Sequence, residues 1–115
     1  MKKSILFVTI ALVFLAAAVS AIRAGERAFS SAPDVDEVKI DNFSFAPADI
    51  SVRAGTTVRW TNHDDIPHNV VSTDKLFKSE VLDTNEQFSH TFDKPGTYTY
   101  YCGLHPRMKA TITVK

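Results

Sequence analysis

Cys102, His105 and Met108 stand in the order Cys-x2-His-x2-Met, within the segment Cys102-Gly103-Leu104-His105-Pro106-Arg107-Met108. A thiolate, an imidazole and a thioether at that spacing can be aimed at one point by a chain that folds over in two successive turns. Cys102 is the sole cysteine and Met108 the sole methionine after the initiator, so their meeting in one short segment is a specific signal. A fourth donor must come from elsewhere. His68, in Ile66-Pro67-His68-Asn69-Val70, is the candidate, on a loop following the segment that carries Trp60. His63, in the polar stretch Asn62-His63-Asp64-Asp65, is the alternative, and that stretch reads as solvated. Two imidazoles, a thiolate and a weak thioether suit copper sites that pass single electrons. Zinc generally takes cysteine, histidine, carboxylate or water where this chain offers methionine. Four protein donors leave no open position for a substrate, which argues against an enzyme.

The elements that must position these residues read as short strands. Apolar residues alternate at Val38 and Ile40, Phe43 and Phe45, Ile50 and Val52, Val58 and Trp60, Phe88 and Phe92, Tyr98, Tyr100 and Cys102, then Ala110, Ile112 and Val114. Period two means strands with one buried face. Turn residues separate them, among them Ala46-Pro47, Ala54-Gly55 and Asp93-Lys94-Pro95-Gly96. The expected architecture is an all-β, antiparallel, two-sheet Greek-key sandwich of about seven to eight strands beginning near Val38. Asp74 to Leu82 has room for one short turn of helix. His90 shares a face with Phe88 and Phe92 and reads as a core or sheet-edge histidine, and Trp60, Tyr98 and Tyr100 read as core.

Lys2 and Lys3 precede an apolar run from Ile5 to Val19 that ends in small residues, the order of parts in a secretory signal peptide. The expected division is a signal peptide over 1–24, cleaved after Ala21 or Ala24, a flexible leader over 25–35 and a folded domain over 36–115. With 115 residues, 13 Lys plus Arg and 13 Asp plus Glu, the chain is large enough for one domain and too small for a multidomain enzyme. That balance provides no basic footprint for nucleic acid. An unpaired cysteine in an exported chain calls for an explanation, and a metal ligand is one.

The Cys102 to Met108 segment resembles the copper loop of the cupredoxin family, similar in length to the amicyanin loop and shorter than those of plastocyanin and pseudoazurin. Phe43-Ser44-Phe45-Ala46-Pro47, Val58-Arg59-Trp60-Thr61-Asn62, Pro67-His68-Asn69-Val70 and Pro95-Gly96-Thr97-Tyr98 extend the resemblance over most of the chain. The resemblance implies one type 1 copper ion held by His68, Cys102, His105 and Met108, with Asn69 bracing the cysteine loop. It also implies a soluble, monomeric, periplasmic one-electron carrier, free of the membrane once its signal is removed. Redox donor and acceptor proteins would meet it transiently through an apolar patch around His105, framed by Leu104, Pro106, Pro67 and Ile66 and rimmed by Arg107. The alternative function is copper binding or trafficking without an electron shuttle. One departure stands out: amicyanin-like loops carry proline where this chain has Leu104, whose restored N–H is expected to reach the thiolate and raise the reduction potential.

Overall fold

A computed structural model describes residues 34–115. The expected signal peptide and most of the expected leader lie outside these residues.

Eight strands form two four-stranded sheets. They are β1 (Val35–Asp41), β2 (Ser44–Ala46), β3 (Asp49–Val52), β4 (Thr56–Asn62), β5 (Val71–Ser72), β6 (Gln87–Phe92), β7 (Gly96–Cys102) and β8 (His105–Val114). One sheet has the order β2-β1-β4-β6 and the other β3-β8-β7-β5. The all-β sandwich is as expected, and β1 begins at Val35, three residues ahead of the expected start. The expectation of purely antiparallel pairing is corrected: β1 pairs with β4, and β3 with β8, in parallel. Both follow from the chain's crossing between sheets, since a strand that returns from the opposite layer can re-enter in the direction in which it left.

The alternating pattern has its expected meaning. Val38 and Ile40 of β1, Val58 and Trp60 of β4, and Ala110, Ile112 and Val114 of β8 are buried between the sheets. Trp60 lies at the centre, fully buried, stacked near Phe77 at 6.0 Å and edge-on to Tyr100 at 5.3 Å between ring centroids. Tyr98 is partly buried against this core and closes the β6–β7 turn by donating its hydroxyl hydrogen to the Lys94 carbonyl at 2.7 Å. Gly55, at φ 95°, occupies the left-handed position of the β3–β4 turn, where a side chain would be strained.

No helix forms over Asp74 to Leu82, where the sequence left room for one short turn. The segment makes a turn over Thr73 to Leu76 and is then tied back by the bridges Val71 to Lys78 and His68 to Leu82. Phe77 and Leu82 are buried by this excursion, and their burial outweighs what a single isolated helical turn could supply.

Asn42 and Phe43 connect β1 to β2 as a two-residue turn, both with positive φ, 52° and 58°. Asparagine tolerates that conformation; phenylalanine does so at a cost of about 1–2 kcal/mol. Something must hold Phe43 there.

His90 lies on the edge strand β6, stacked on Phe77 at 4.7 Å and edge-on to Phe92 at 4.8 Å. Burial lowers its pKa from the ordinary 6.5, and Asp93 partly opposes this. A histidine that binds its proton more weakly when folded is fully tolerated above its unfolded value and destabilises the fold as pH drops through 6.5 toward the lowered value. The copper-free protein is therefore expected to melt at lower temperature at about pH 5.5 than at about pH 7.5, and His90→Phe to lose part of that difference. Calorimetric scans of both proteins at the two pH values check this.

Candidate metal centre

Cys102 ends β7 and His105 begins β8, paired across the two-residue turn Gly103-Leu104. The ladder shifts register between Tyr101 and Cys102, which marks where regular pairing gives way to the loop. His68 belongs to the connection between β4 and β5. Reciprocal backbone bonds with Leu82 hold it, 3.2 Å from the His68 N–H to the Leu82 carbonyl and 2.7 Å in the other direction. These elements bring three donors together: one ligand atom each of His68, Cys102 and His105 lies within 4.8 Å of the others. The Nδ1 atoms of both histidines are 3.7 Å from the Cys102 sulfur. Bonds of about 2.0–2.3 Å from one ion to two donors place those donors up to about 4 Å apart, so the spacing suits a single small metal ion.

Met108 is buried, three residues beyond His105 on β8, and lines the same surface depression as His105. His63 is exposed and outside the donor group. Of the two histidines left open at the start of that loop, it is His68 that faces the cysteine.

Asn69 makes the link between loops. Its backbone N–H donates to the Cys102 sulfur at 3.4 Å, and its side-chain oxygen accepts the Gly103 N–H at 2.6 Å. A side chain at Gly103 would press on this asparagine, since a Cβ there would lie 3.1 Å from Oδ1. The expected donation from Leu104 is not among the hydrogen bonds of the described residues. The backbone donor to sulfur comes from the histidine-bearing loop instead, because that loop packs directly over Cys102.

The stretch Asn62 to Asp65 is not simply solvated, and here the sequence expectation is corrected. Asn62 is fully buried. Its amide donates to the carbonyls of Ile66 and Leu82, each at 2.9 Å, and its oxygen accepts the Asp64 N–H at 2.9 Å. One side chain thus shapes the loop that carries His68. Asn62→Ala leaves these groups unpartnered, and the expected loss of stability is roughly 2–3 kcal/mol, measurable by chemical denaturation.

Asp64, with a side chain only 12% exposed, places Oδ2 2.9 Å from His68 Nε2. The same oxygen accepts the Phe43 backbone N–H at 3.0 Å. That backbone bond first, and the His68 ring second, hold the Asp64 carboxyl below the ordinary carboxylate value of 3.8. An ionised carboxylate only accepts, so the proton it shares with His68 sits on Nε2, and Nδ1 is the ring nitrogen turned toward the cysteine. This is the arrangement in which a carboxylate orients a metal-binding imidazole.

Phe43 is the residue that sequence reasoning missed. Its ring meets His105 edge-on at 5.2 Å and His68 edge-on at 5.8 Å, while 53% of the residue stays exposed. With Leu104, Pro106, Arg107 and Met108 it surrounds His105 in a surface depression. Ile66 and Pro67, expected in that frame, do not line it. The sequence shows Phe43 in alternation with Phe45 and within the stretch that carries the family resemblance, and the alternation suggests burial.

Comparison with known proteins agrees with this geometry. Residues 6–114 match the family model of the cupredoxin-like domain. The chain is 37% identical over 84 residues to amicyanin-alpha of Methylorubrum extorquens, an alignment covering 69% of this chain and 71% of that protein. It is 41% identical over 83 residues to the chloroplastic plastocyanin of Physcomitrium patens, covering 61% of this chain and 49%, about half, of the relative. Among solved structures, a purple cupredoxin from Nitrosopumilus maritimus aligns with a TM-score of 0.67 and 34% identity, over 70% of this chain and 99% of that one. With the family model spanning nearly the whole sequence, and three donors gathered from two connections of a two-sheet sandwich, the chain belongs to the cupredoxin-like family.

Proposed function

We propose that this chain is a type 1 copper protein that carries single electrons between redox partners, with copper held by His68, Cys102, His105 and Met108. The observation that carries the reading is the convergence of His68, Cys102 and His105 from two separate connections of the sandwich. Their chemistry fits copper: a buried thiol and two imidazoles with a buried thioether nearby form a soft set. Copper bound there supplies a one-electron couple between its cuprous and cupric states.

The protein's part is to keep its donors still. Cys102 is anchored by β7, His105 by β8, and His68 by its bonds to Leu82 and Asp64. Donors fixed by packed strands need little rearrangement when the charge at their centre changes. His105 is only partly buried, and the apolar surface of Phe43, Leu104 and Pro106 beside it suits a brief encounter with a partner protein, with Arg107 contributing charge. Small patches of this kind support transient rather than permanent complexes. In this reading residues 1–24 direct export, and the carrier works in the periplasm.

Optical and EPR spectra of the copper-loaded protein, followed by voltammetry, test the proposal. An intense visible band with a reversible wave is the expected result. Copper that gives no such band, or that passes rapidly to a chelator without a reversible wave, would favour the trafficking function and overturn the carrier.

A further inference from the structure

The turn residue Phe43 and the loop residue Asp64 lie 21 positions apart, yet one carboxylate oxygen joins them. Asp64 is itself firmly seated: its N–H is bound to Asn62, and its carbonyl accepts the Thr84 hydroxyl at 2.7 Å. From that seat Oδ2 reaches two groups, the His68 ring nitrogen and the backbone N–H of Phe43. Phe43 holds a left-handed conformation that suits glycine or asparagine better, so a specific interaction is needed to keep it. The consequence of that conformation is the placement of its ring, edge-on to both imidazoles.

We propose that Asp64 is a latch that holds the Phe43 ring as a cover over the His68 and His105 imidazoles, the two residues together retaining the metal and keeping water from it. The inference rests on the copper reading above and adds two positioning residues to it. Apolar cover around a metal site controls solvent access, and a hydrogen-bonded carboxylate fixes the orientation of its histidine. Here both functions converge on one oxygen atom. Loosening Asp64 therefore frees the cover and the ligand at the same time, whereas removing the Phe43 ring uncovers the site with His68 still oriented.

Phe43→Gly is the informative variant, because glycine accepts the positive φ without strain. The copper-free variant is expected to be at least as stable as the parent, yet the copper-loaded form, still coloured, should release Cu(I) to excess bathocuproine disulfonate about tenfold faster. Phe43→Leu, which keeps an apolar cover, should restore slow release. A general loss of folding would move stability and retention in the same direction; the proposal separates them. Release from Phe43→Gly within about twofold of the parent would overturn the cover.

The latch is tested without metal by amide hydrogen exchange of the copper-free protein, followed by NMR. In the parent the Phe43 N–H should be protected. In Asp64→Ala it should exchange as an open amide, while Val58 and Ile112 in the core keep their protection. A Phe43 amide equally protected in Asp64→Ala would overturn the latch. These exchange measurements decide it whether or not the parent gives the expected copper spectrum, so failure of the copper reading and failure of the latch are distinguishable.

Discussion

Cys102→Ser is expected to abolish the intense visible absorption of the copper-loaded protein and to weaken copper binding by more than about 100-fold, because the thiolate is both the strongest donor and the source of the charge-transfer colour. The replacement is nearly isosteric. Cys102 is completely buried at the end of β7, so an exchange of sulfur for oxygen alters donor chemistry with little change in packing. The hydroxyl can still accept from the Asn69 N–H, which now bonds the sulfur at 3.4 Å. Melting of the copper-free variant should therefore stay close to that of the parent. The absorption spectrum and a competition titration with a chelator of known affinity check the two halves of this expectation. A variant that kept the band would transfer the colour to some other donor and remove Cys102 from the centre.

Trp60→Ala is expected to be the most damaging single change to the fold, costing about 3–5 kcal/mol. The indole is fully buried on the central strand β4, between β1 and β6, and touches Phe77, Phe88 and Tyr100. No neighbour is free to collapse into the resulting cavity, since Val58, Tyr100 and Ile112 are themselves held by their strands. A domain of this size has roughly 5–15 kcal/mol of total stability, so the variant sits near its unfolding threshold. Trp60→Phe should cost much less. Among the described residues the buried indole N–H has no partner at good hydrogen-bond geometry, so its removal gives up little polar interaction. Urea denaturation of the copper-free proteins gives both values, and equal losses in the two variants would contradict the cavity argument.

Both variants act through residues legible in the chain alone. Cys102, His105 and Met108 could be read together because three donors within one seven-residue segment are a local fact, requiring no knowledge of distant contacts. Trp60 and Ile112 could be placed in the core because period-two alternation follows from the strand pleat itself. His68 was legible as a candidate, but its preference over His63 depended on which side of the β4–β5 connection faces β7.

Other features depend on contacts that local sequence does not encode. Asp64 reads as a solvated acid; its partners are an imidazole four residues on and a backbone N–H 21 residues back, brought together by the packing of the β1–β2 turn against the His68 loop. Asn62 reads as a polar strand end and proves to be the buried centre of three hydrogen bonds. Phe43 alternates as a core residue would, yet its turn puts it at the surface beside two histidines.

The amino-acid order by itself determined the strand pattern and the gathering of Cys102, His105 and Met108 in one segment, because pleat and residue spacing act over a few residues. Tertiary structure alone decided the parallel pairings, the tied-back course of Asp74 to Leu82 and the carboxylate that joins Phe43 to His68. Those outcomes are set by which surfaces meet when the two sheets close, and a buried hydrogen bond gains its partner only at that point.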